Sequence, residues 1–449
     1  MTITLRPYQQ QLVDAIRLQY QLGKRSVLAV LPTGGGKTRA FSHIAEAASR
    51  KGNRVLILVH RQELLDQASR SLPFHHGLIA AGRGMDLSHA VQVASVQTVA
   101  RRLHLLPRDY FQLLVVDEAH HTSAGTWAKT LAHFSSARLL GVTATPIRGD
   151  GRGLGEHYQS LVQGPSAQWL TDNGYLARAR VLAPPGFSVD GLRKRMGDFD
   201  PKQAEDRVRT IHGDCVGHYR QHLDGQTAIA FCCSIAHAEA VAAVFMQAGI
   251  AAASIDGSMD TATRRHLLEQ LGAGRLKVLT SCALIGEGVD VPSVGGCILL
   301  RPTASVALHL QMIGRCLRPS GDKVAVVLDH VGNCLRLGHH LEERDWSLEG
   351  IKKRDREKAP SVRVCPVCFT TSMSTTQVCL GCGHVFAPEA RELEQVNGEL
   401  VELAARERRR EQGGAQTLDD LRRLAQQRGY KRGWAERVYQ ARLARRHGI

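Results

Sequence analysis

The chain has 449 residues, too many for one ordinary hydrophobic core, so two or three domains are expected. Its hydrophobic fraction of 43% suffices for globular folding, and 58 Lys+Arg against 42 Asp+Glu leave a formal net charge of +16. That excess favours polyanionic partners, nucleic acid first and an acidic membrane second, with a basic enzyme carrying a solvated surface as the plain alternative.

The opening stretch, MTITLRPYQQ, is polar, and no apolar run approaches a membrane span. With no secretory signal, the eleven cysteines are expected to be reduced thiols in the cytoplasm. Short branched-rich runs then follow at VLAVL (27–31), VLILV (55–59), LLVVD (113–117) and LLGVT (139–143). Such continuous runs suit parallel strands buried on both faces, and stretches such as RQELLDQASR supply the crossover helices. A second series follows at TAIAF (227–231), AAASI (251–255), KVLTS (277–281), CILL (297–300) and KVAVVLD (323–329). The economical reading is an α/β chain with two tandem domains of parallel sheet, 1–173 and 174–345. The break falls near GYLARARVLAPPG (174–186), where Gly and Pro gather. Beyond 345 come a charged connector, KKRDREKAP, a cysteine-rich ribbon (360–388) and a basic helical segment (391–449).

The first run leads into LPTGGGKT, a strand, a glycine loop and a helix. Gly34, Gly35 and Gly36 free the backbone to turn its N–H groups inward around phosphate oxygens at a helix N-terminus. Thr33 opens this loop. Lys37 adds a charge for the β/γ phosphates and Thr38 a hydroxyl for Mg²⁺. Leu31 stands where the strict pattern has glycine. VVDEAHH ends a later strand, where an open α/β sheet places its ligand groups. Asp117 is suited to Mg²⁺, and Glu118 to orienting or deprotonating an attacking water.

These motifs, with TAT (143–145), GEGVDVP (286–292) and QMIGRCLRP (311–319), stand in the order found in superfamily 2 helicases, which the chain resembles over roughly residues 1–335. LRPYQQQLVDAI (5–16) resembles the adenine-reading segment that opens such proteins. The opening LRPYQ, the compact core and the cysteine cluster behind it are most similar to the bacterial RadD group of DNA-repair helicases.

The resemblance implies two RecA-like domains with ATP and Mg²⁺ between them. Arg315 and Arg318, read as lying at a helix end, reach from the second domain to the γ-phosphate held by the first, with Gln311 on the water or phosphate. It further implies that Gln9 reads adenine with Arg6 beside the base, and that Gly288 and Asp290 sense the nucleotide from the far side. His120, Thr143 and Thr145 couple nucleotide state to the domain interface; His121 is placed only at the surface. Single-stranded nucleic acid would run over both domains through backbone contacts from Arg61 and Gln62, from Gln97 and Thr98, and from CSIAHAEA (233–240). Expected partners are DNA, with repair or single-strand-binding proteins, and the expected location is cytoplasmic, on the nucleoid. The motifs do not reveal the sugar, so an RNA helicase stays open, as does an ATP-switched DNA clamp that never unwinds. A binding module with a dead site is disfavoured because every expected catalytic residue is present.

Cys365, Cys368, Cys379 and Cys382 form two CxxC pairs ten residues apart. That spacing suits a structural tetrahedral Zn²⁺, with a redox pair or iron–sulfur centre as the alternatives. With so little apolar content, the ribbon is expected to need metal to fold. The tail, 391–449, carries 14 Lys+Arg against 9 Asp+Glu. Thr417 and Asp420 stand at capping-box spacing ahead of an apolar stripe, Leu418, Leu421 and Leu424, and a second basic stretch holds Trp434 and Tyr439.

Overall fold

The computed structural model describes residues 3–350 except 61, 123–124, 149–150, 184–186, 196, 209–211 and 283–293, then 362–386, 417–428, 433–436 and 438–439. Among the described residues are two parallel sheets. The first contains β1 (Ser26–Val30), β2 (Val55–Val59), β3 (Gly77–Ile79), β4 (Val91–Ser95), β5 (Leu113–Asp117), β6 (Arg138–Thr143) and β7 (Ser160–Gln163). Their order is β3-β4-β2-β5-β6-β1-β7. The helices are α1 (Pro7–Gln21), α2 (Lys37–Arg50), α3 (Gln62–Ser71), α4 (Val96–Arg102), α5 (Gly125–His133) and α6 (Ala167–Asp172).

The strands read as unbroken apolar runs because both faces are covered. Val55, Ile57 and Val59 join one core cluster, whereas Leu56 and Leu58 join another. Side chains alternate across a strand, so a strand buried on both sides has no polar positions to offer.

The second sheet runs β12-β13-β11-β14-β15-β8, again all parallel. Its strands are β8 (Arg178–Leu182), β11 (Ala228–Phe231), β12 (Ala252–Ile255), β13 (Val278–Ser281), β14 (Gly296–Leu299) and β15 (Val324–Asp329). A short antiparallel pair, β9 (Lys194–Arg195) and β10 (Asp198–Phe199), precedes α7 (Pro201–Val208) and α8 (His212–Leu223). α9 (Ile235–Gln247), α10 (Thr261–Gly272), α11 (Val306–Gly314) and α12 (Asn333–Leu337) complete it. Strand β8 lies inside the stretch read above as a Gly/Pro-rich break. Arg178 and Arg180 alternate there with Ala179 and Val181, the pattern of a half-buried edge strand, and a period-2 run of charged residues is easily read as loop.

Two further segments attach to these sheets. After α12 the chain turns back to the first domain: Gly155 N donates to Leu348 O at 2.9 Å, and Gln163 Nε2 to Arg344 O at 3.3 Å. Trp346 and Leu348 pack on the first domain's core, and a Cβ on Gly153 would lie 2.0 Å from Leu348 O, so only glycine permits this approach. The cysteine ribbon, with β16 (Val362–Val364) and β17 (Thr371–Met373), lies on the outer edge of the second sheet. Ala183 N donates to Phe369 O at 3.1 Å and Thr371 Oγ1 to Val181 O at 3.1 Å, so the ribbon covers an edge that would otherwise expose unpaired backbone.

Residues 387–449 form a separate unit. Within it a helix, Leu418–Arg428, begins at the expected capping box, with Asp420 N donating to Thr417 Oγ1 at 3.2 Å and Thr417 N to Asp420 Oδ2 at 3.1 Å. Leu421 is fully buried, and Arg422 pairs with Glu436 at 2.9 Å. Among the described residues no helix is long and apolar enough to cross a membrane.

Candidate active site

The glycine loop leaves the C-terminal end of β1. Leu31 follows directly on β1 and continues its bonding: its N–H donates to Thr143 O at 3.1 Å and its side chain is fully buried. That accounts for leucine where the strict pattern has glycine, because no special backbone angle is needed there. The turn itself is made by Gly34 and Gly36, both at φ +85°. A Cβ on Gly36 would lie 2.3 Å from Gln9 Nε2, so a side chain has neither the conformation nor the space. Gly36 caps α2 with no side-chain hydrogen bond. The first-turn amides, including that of Thr38, are thereby left to an external anion. Lys37 opens α2, its Nζ 3.5 Å from Leu31 O. Gln9 is buried; its Oε1 accepts from Arg6 N at 3.0 Å and its Nε2 donates to Gly35 O at 3.2 Å. Gln9, expected from the resemblance to meet the base, is thus joined to the phosphate loop.

Asp117 ends β5 and Glu118 follows at φ +49°, ψ +56°. A left-handed conformation is rare for glutamate, and strain of this kind gathers at functional sites. Burial and then the adjacent Glu118 carboxylate push Asp117 up to about 7, which the Lys37 ammonium partly offsets. Such a half-buried carboxylate, near a lysine and beside a second acid, gains strongly from a divalent cation.

His120 Nδ1 lies 3.2 Å from Thr143 Oγ1 and 3.4 Å from Glu118 Oε2, the latter an ion-pair distance without hydrogen-bond alignment. Thr143 Oγ1 donates to Thr145 O at 2.9 Å, and both threonines are fully buried. The coupling residues read from sequence are therefore in contact with one another and with the acid. His121, read as a surface residue, is half-buried. Its ring packs between those of His120 and His60, with centroids 4.2 and 4.5 Å apart. The doubled histidine of DEAHH is the only sequence signal for this stack.

The second domain meets the loop through α11. This helix stops at Gly314, so Arg315 caps it and Arg318 lies beyond it. A Cβ on Gly314 would lie 2.5 Å from Thr33 Cγ2, which puts the arginine segment directly against the phosphate loop. Gln311 is buried at 3% exposure, and its amide nitrogen has no partner among the described residues. Gly288 and Asp290 lie outside the described residues, as does Arg61.

Of the nucleic-acid candidates, Gln62 begins α3. Gln97 is exposed and bridges two strand ends, its Nε2 donating to His60 O at 2.9 Å and its Oε1 accepting from Ser95 Oγ at 2.8 Å. Thr98 is 7% exposed, leaving little of it to touch a strand. In the second domain Ser234 caps α9, its Oγ accepting from His237 N at 3.0 Å.

The four ribbon sulfurs lie within 4.8 Å of one another, with Cys365–Cys382 and Cys368–Cys379 both at 3.6 Å. A tetrahedral ion with metal–sulfur bonds of about 2.3 Å requires sulfur–sulfur edges of about 3.8 Å, so the set fits a thiolate-bound metal. Phe369 at φ +57° and Gly383 at φ +75° turn the two knuckles. A Cβ on Gly381 would lie 3.2 Å from Cys368 Sγ, so glycine clears the space beside the sulfurs.

Two family models match the chain: "Type III restriction enzyme, res subunit" over residues 2–148, and "Helicase conserved C-terminal domain" over 209–320. The chain is 34% identical to the 51.5 kDa protein of a Lactococcus phage (isolate 7-9) over 83% of itself and 82% of that protein. It is 30% identical to IRC3 of Saccharomyces cerevisiae, provisionally named an ATP-dependent helicase, over 70% of itself but only 49% of the yeast protein. It is 26% identical to DNA 3'-5' translocase XPB2 of Sulfurisphaera tokodaii, over 73% of itself and 82% of that protein. Among solved structures, a fragment assigned as an HsdR subunit of a type I restriction enzyme from Vibrio vulnificus shares the fold, with TM-score 0.58 and 22% identity over 73% of this chain and 64% of that one. The two models fall one on each sheet, an arrangement suited to an ATP-driven motor rather than to a single-sheet nucleotide-binding protein, and the chain belongs to the superfamily 2 helicases.

Proposed function

We propose that this enzyme is an ATP-driven translocase on DNA, acting in repair or recombination as the RadD resemblance suggests. The observation that carries the motor reading is the contact of Gly314 with Thr33, which sets the arginine segment of one domain against the phosphate loop of the other. Lys37 and the amides of Gly34–Thr38 hold the phosphates, with Thr38 and Asp117 placed to bind Mg²⁺, which would neutralise phosphate charge. Glu118 orients the attacking water and takes its proton. Arg315 and Arg318 stabilise the charge that develops on the transferred phosphoryl group, an effect worth roughly 10³ to 10⁵ in rate. Gln9 reads the base edge, Gly288 and Asp290 sense the nucleotide from the second domain, and His120 with Thr143 and Thr145 passes its state to the interface. The +16 charge and the likeness to a protein named a DNA translocase support DNA as the track, contacted by Arg61, Gln62 and Gln97, with Thr98 too buried to share in that contact. The four cysteines hold a structural zinc. Such an enzyme would work in the cytoplasm, on the nucleoid.

The test is ATP turnover with and without single-stranded DNA, duplex DNA and single-stranded RNA, beside Lys37→Ala and Arg315→Ala. Stimulation by DNA that both variants abolish is expected. Stimulation by RNA alone would transfer the motor to RNA, and turnover indifferent to all three would remove nucleic acid as its activator.

A further inference from the structure

The segment that connects the two sheets lies on the phosphate loop. A Cβ on Gly34 would meet Leu176 Cδ2 at 2.8 Å, and one on Gly35 would meet Leu170 Cδ1 at 3.3 Å. The same segment reaches the arginines, since Ala177 N donates to Leu317 O at 2.8 Å, one residue before Arg318. It also carries two aromatic rings. Trp169 and Tyr175 stack with centroids 5.9 Å apart and planes 21° apart. Tyr175 lies 4.8 Å from Tyr8, whose hydroxyl donates to Gly35 O at 2.8 Å, and the Arg6 guanidinium sits 4.9 Å from the Tyr175 ring centre.

These rings are beside the two residues proposed to meet the base. Gln9 offers an edge and Arg6 a flat cation; neither offers an apolar face. Trp169 does. It is 42% exposed although its neighbour Leu170 is fully buried and its stacking partner Tyr175 is half-buried. A single exposed indole is unremarkable on a protein surface. An indole stacked on a tyrosine that already carries a guanidinium, next to a phosphate loop, is the composition of a base-stacking platform.

We infer that the connector supplies the aromatic face of the base subsite, with Trp169 stacking on the purine and Tyr175 supporting it, so that Trp169 is a specificity residue for the nucleotide. The inference rests on the ATPase reading above and deepens it. A base stacked on Trp169 rests on the same short segment that is hydrogen-bonded to the arginine loop. Base occupancy and arginine position therefore share one structural element, and a bare triphosphate lacks the group that engages it.

Calorimetric binding of Mg·ATPγS and of inorganic tripolyphosphate to wild type, Trp169→Ala and Trp169→Phe tests this. Trp169→Ala should weaken ATPγS by about tenfold or more, while Trp169→Phe keeps most of the affinity and tripolyphosphate binds all three alike. In the same samples ATPγS should change the tryptophan fluorescence of wild type, and Trp169→Phe should lose most of that change, leaving only what Trp127, Trp346 and Trp434 supply. Unchanged ATPγS affinity in Trp169→Ala overturns the inference. Equal losses for ATPγS and tripolyphosphate also overturn it, because they would show Trp169 shaping the loop rather than meeting the base. Wild type that binds neither ligand defeats the ATPase reading itself, and this inference with it.

Discussion

The two sheets begin their main crossover helices in opposite ways. In the first domain β1 runs into Gly34–Gly36, and α2 starts from a left-handed glycine with no side-chain cap. In the second, β11 runs into Cys232, Cys233 and Ser234, and α9 starts from a serine whose hydroxyl occupies the His237 amide. Both strands are fully buried along nearly their whole length and both helices follow at once. One helix end is left open to an anion; the other is closed by its own chain. The architecture is shared and the chemistry lies in the few residues between strand and helix, which is why a fold alone does not specify a function.

Closing the open end should have the largest effect. Gly36→Asp brings in a capping side chain and a negative charge at φ +85°, against Gln9. Nucleotide affinity measured by calorimetry should fall by about 10²-fold or more, since both loop geometry and phosphate charge oppose it. Removing the metal comes next. Incubation with a strong chelator should release one zinc per chain, and the unfolding midpoint should drop by several degrees, because the ribbon covers strand β8. A native mass with no zinc after metal-replete purification would show that the sulfurs serve another purpose.

Acid should distinguish the second domain from the first. Burial holds His309 and His339 down at about 4, so the folded protein keeps both imidazoles neutral. The unfolded chain protonates them near pH 6.5. Their stability contribution is therefore complete above about pH 7 and lost as pH falls from about 6.5 towards 4, by up to about 3 kcal/mol for one such group. The difference in urea stability between wild type and His309→Leu across that range should isolate the His309 share of the slope, because His339 and the oppositely acting Asp117 are common to both. Opening the closed end should matter least. Ser234→Ala should cost about 1 kcal/mol of stability and leave nucleotide affinity unchanged.

How far the sequence foretold this varies with what each residue must satisfy. Central strands such as β2 and β5 were legible because burial on both faces leaves only apolar residues. Strand β4 was not, because Gln92 interrupts it; that side chain is fully buried and donates from Nε2 to Asp86 O at 2.8 Å, a solution visible only once the loop is in place. The phosphate loop was legible through its glycines and lysine, and the leucine that departs from the pattern proved to follow directly on β1, still hydrogen-bonded to Thr143 of β6. The place of His121 was not legible, since stacking on His60 depends on two strand ends distant in sequence. Nor was the docking of the ribbon on β8, which is made by backbone groups common to every residue and one threonine hydroxyl.

The return of the chain to the first domain after α12 has a mechanical meaning. The connector at 164–177 is one attachment between the two halves, and the stretch at 344–350, lying along Gly153, Gly155 and Gln163, is a second. A body held to another at one point can swing and twist in any direction. Held at two, it keeps only rotation about the line that joins them. Any opening of the pair would then turn about that line and carry the arginine segment away from its contact with Thr33.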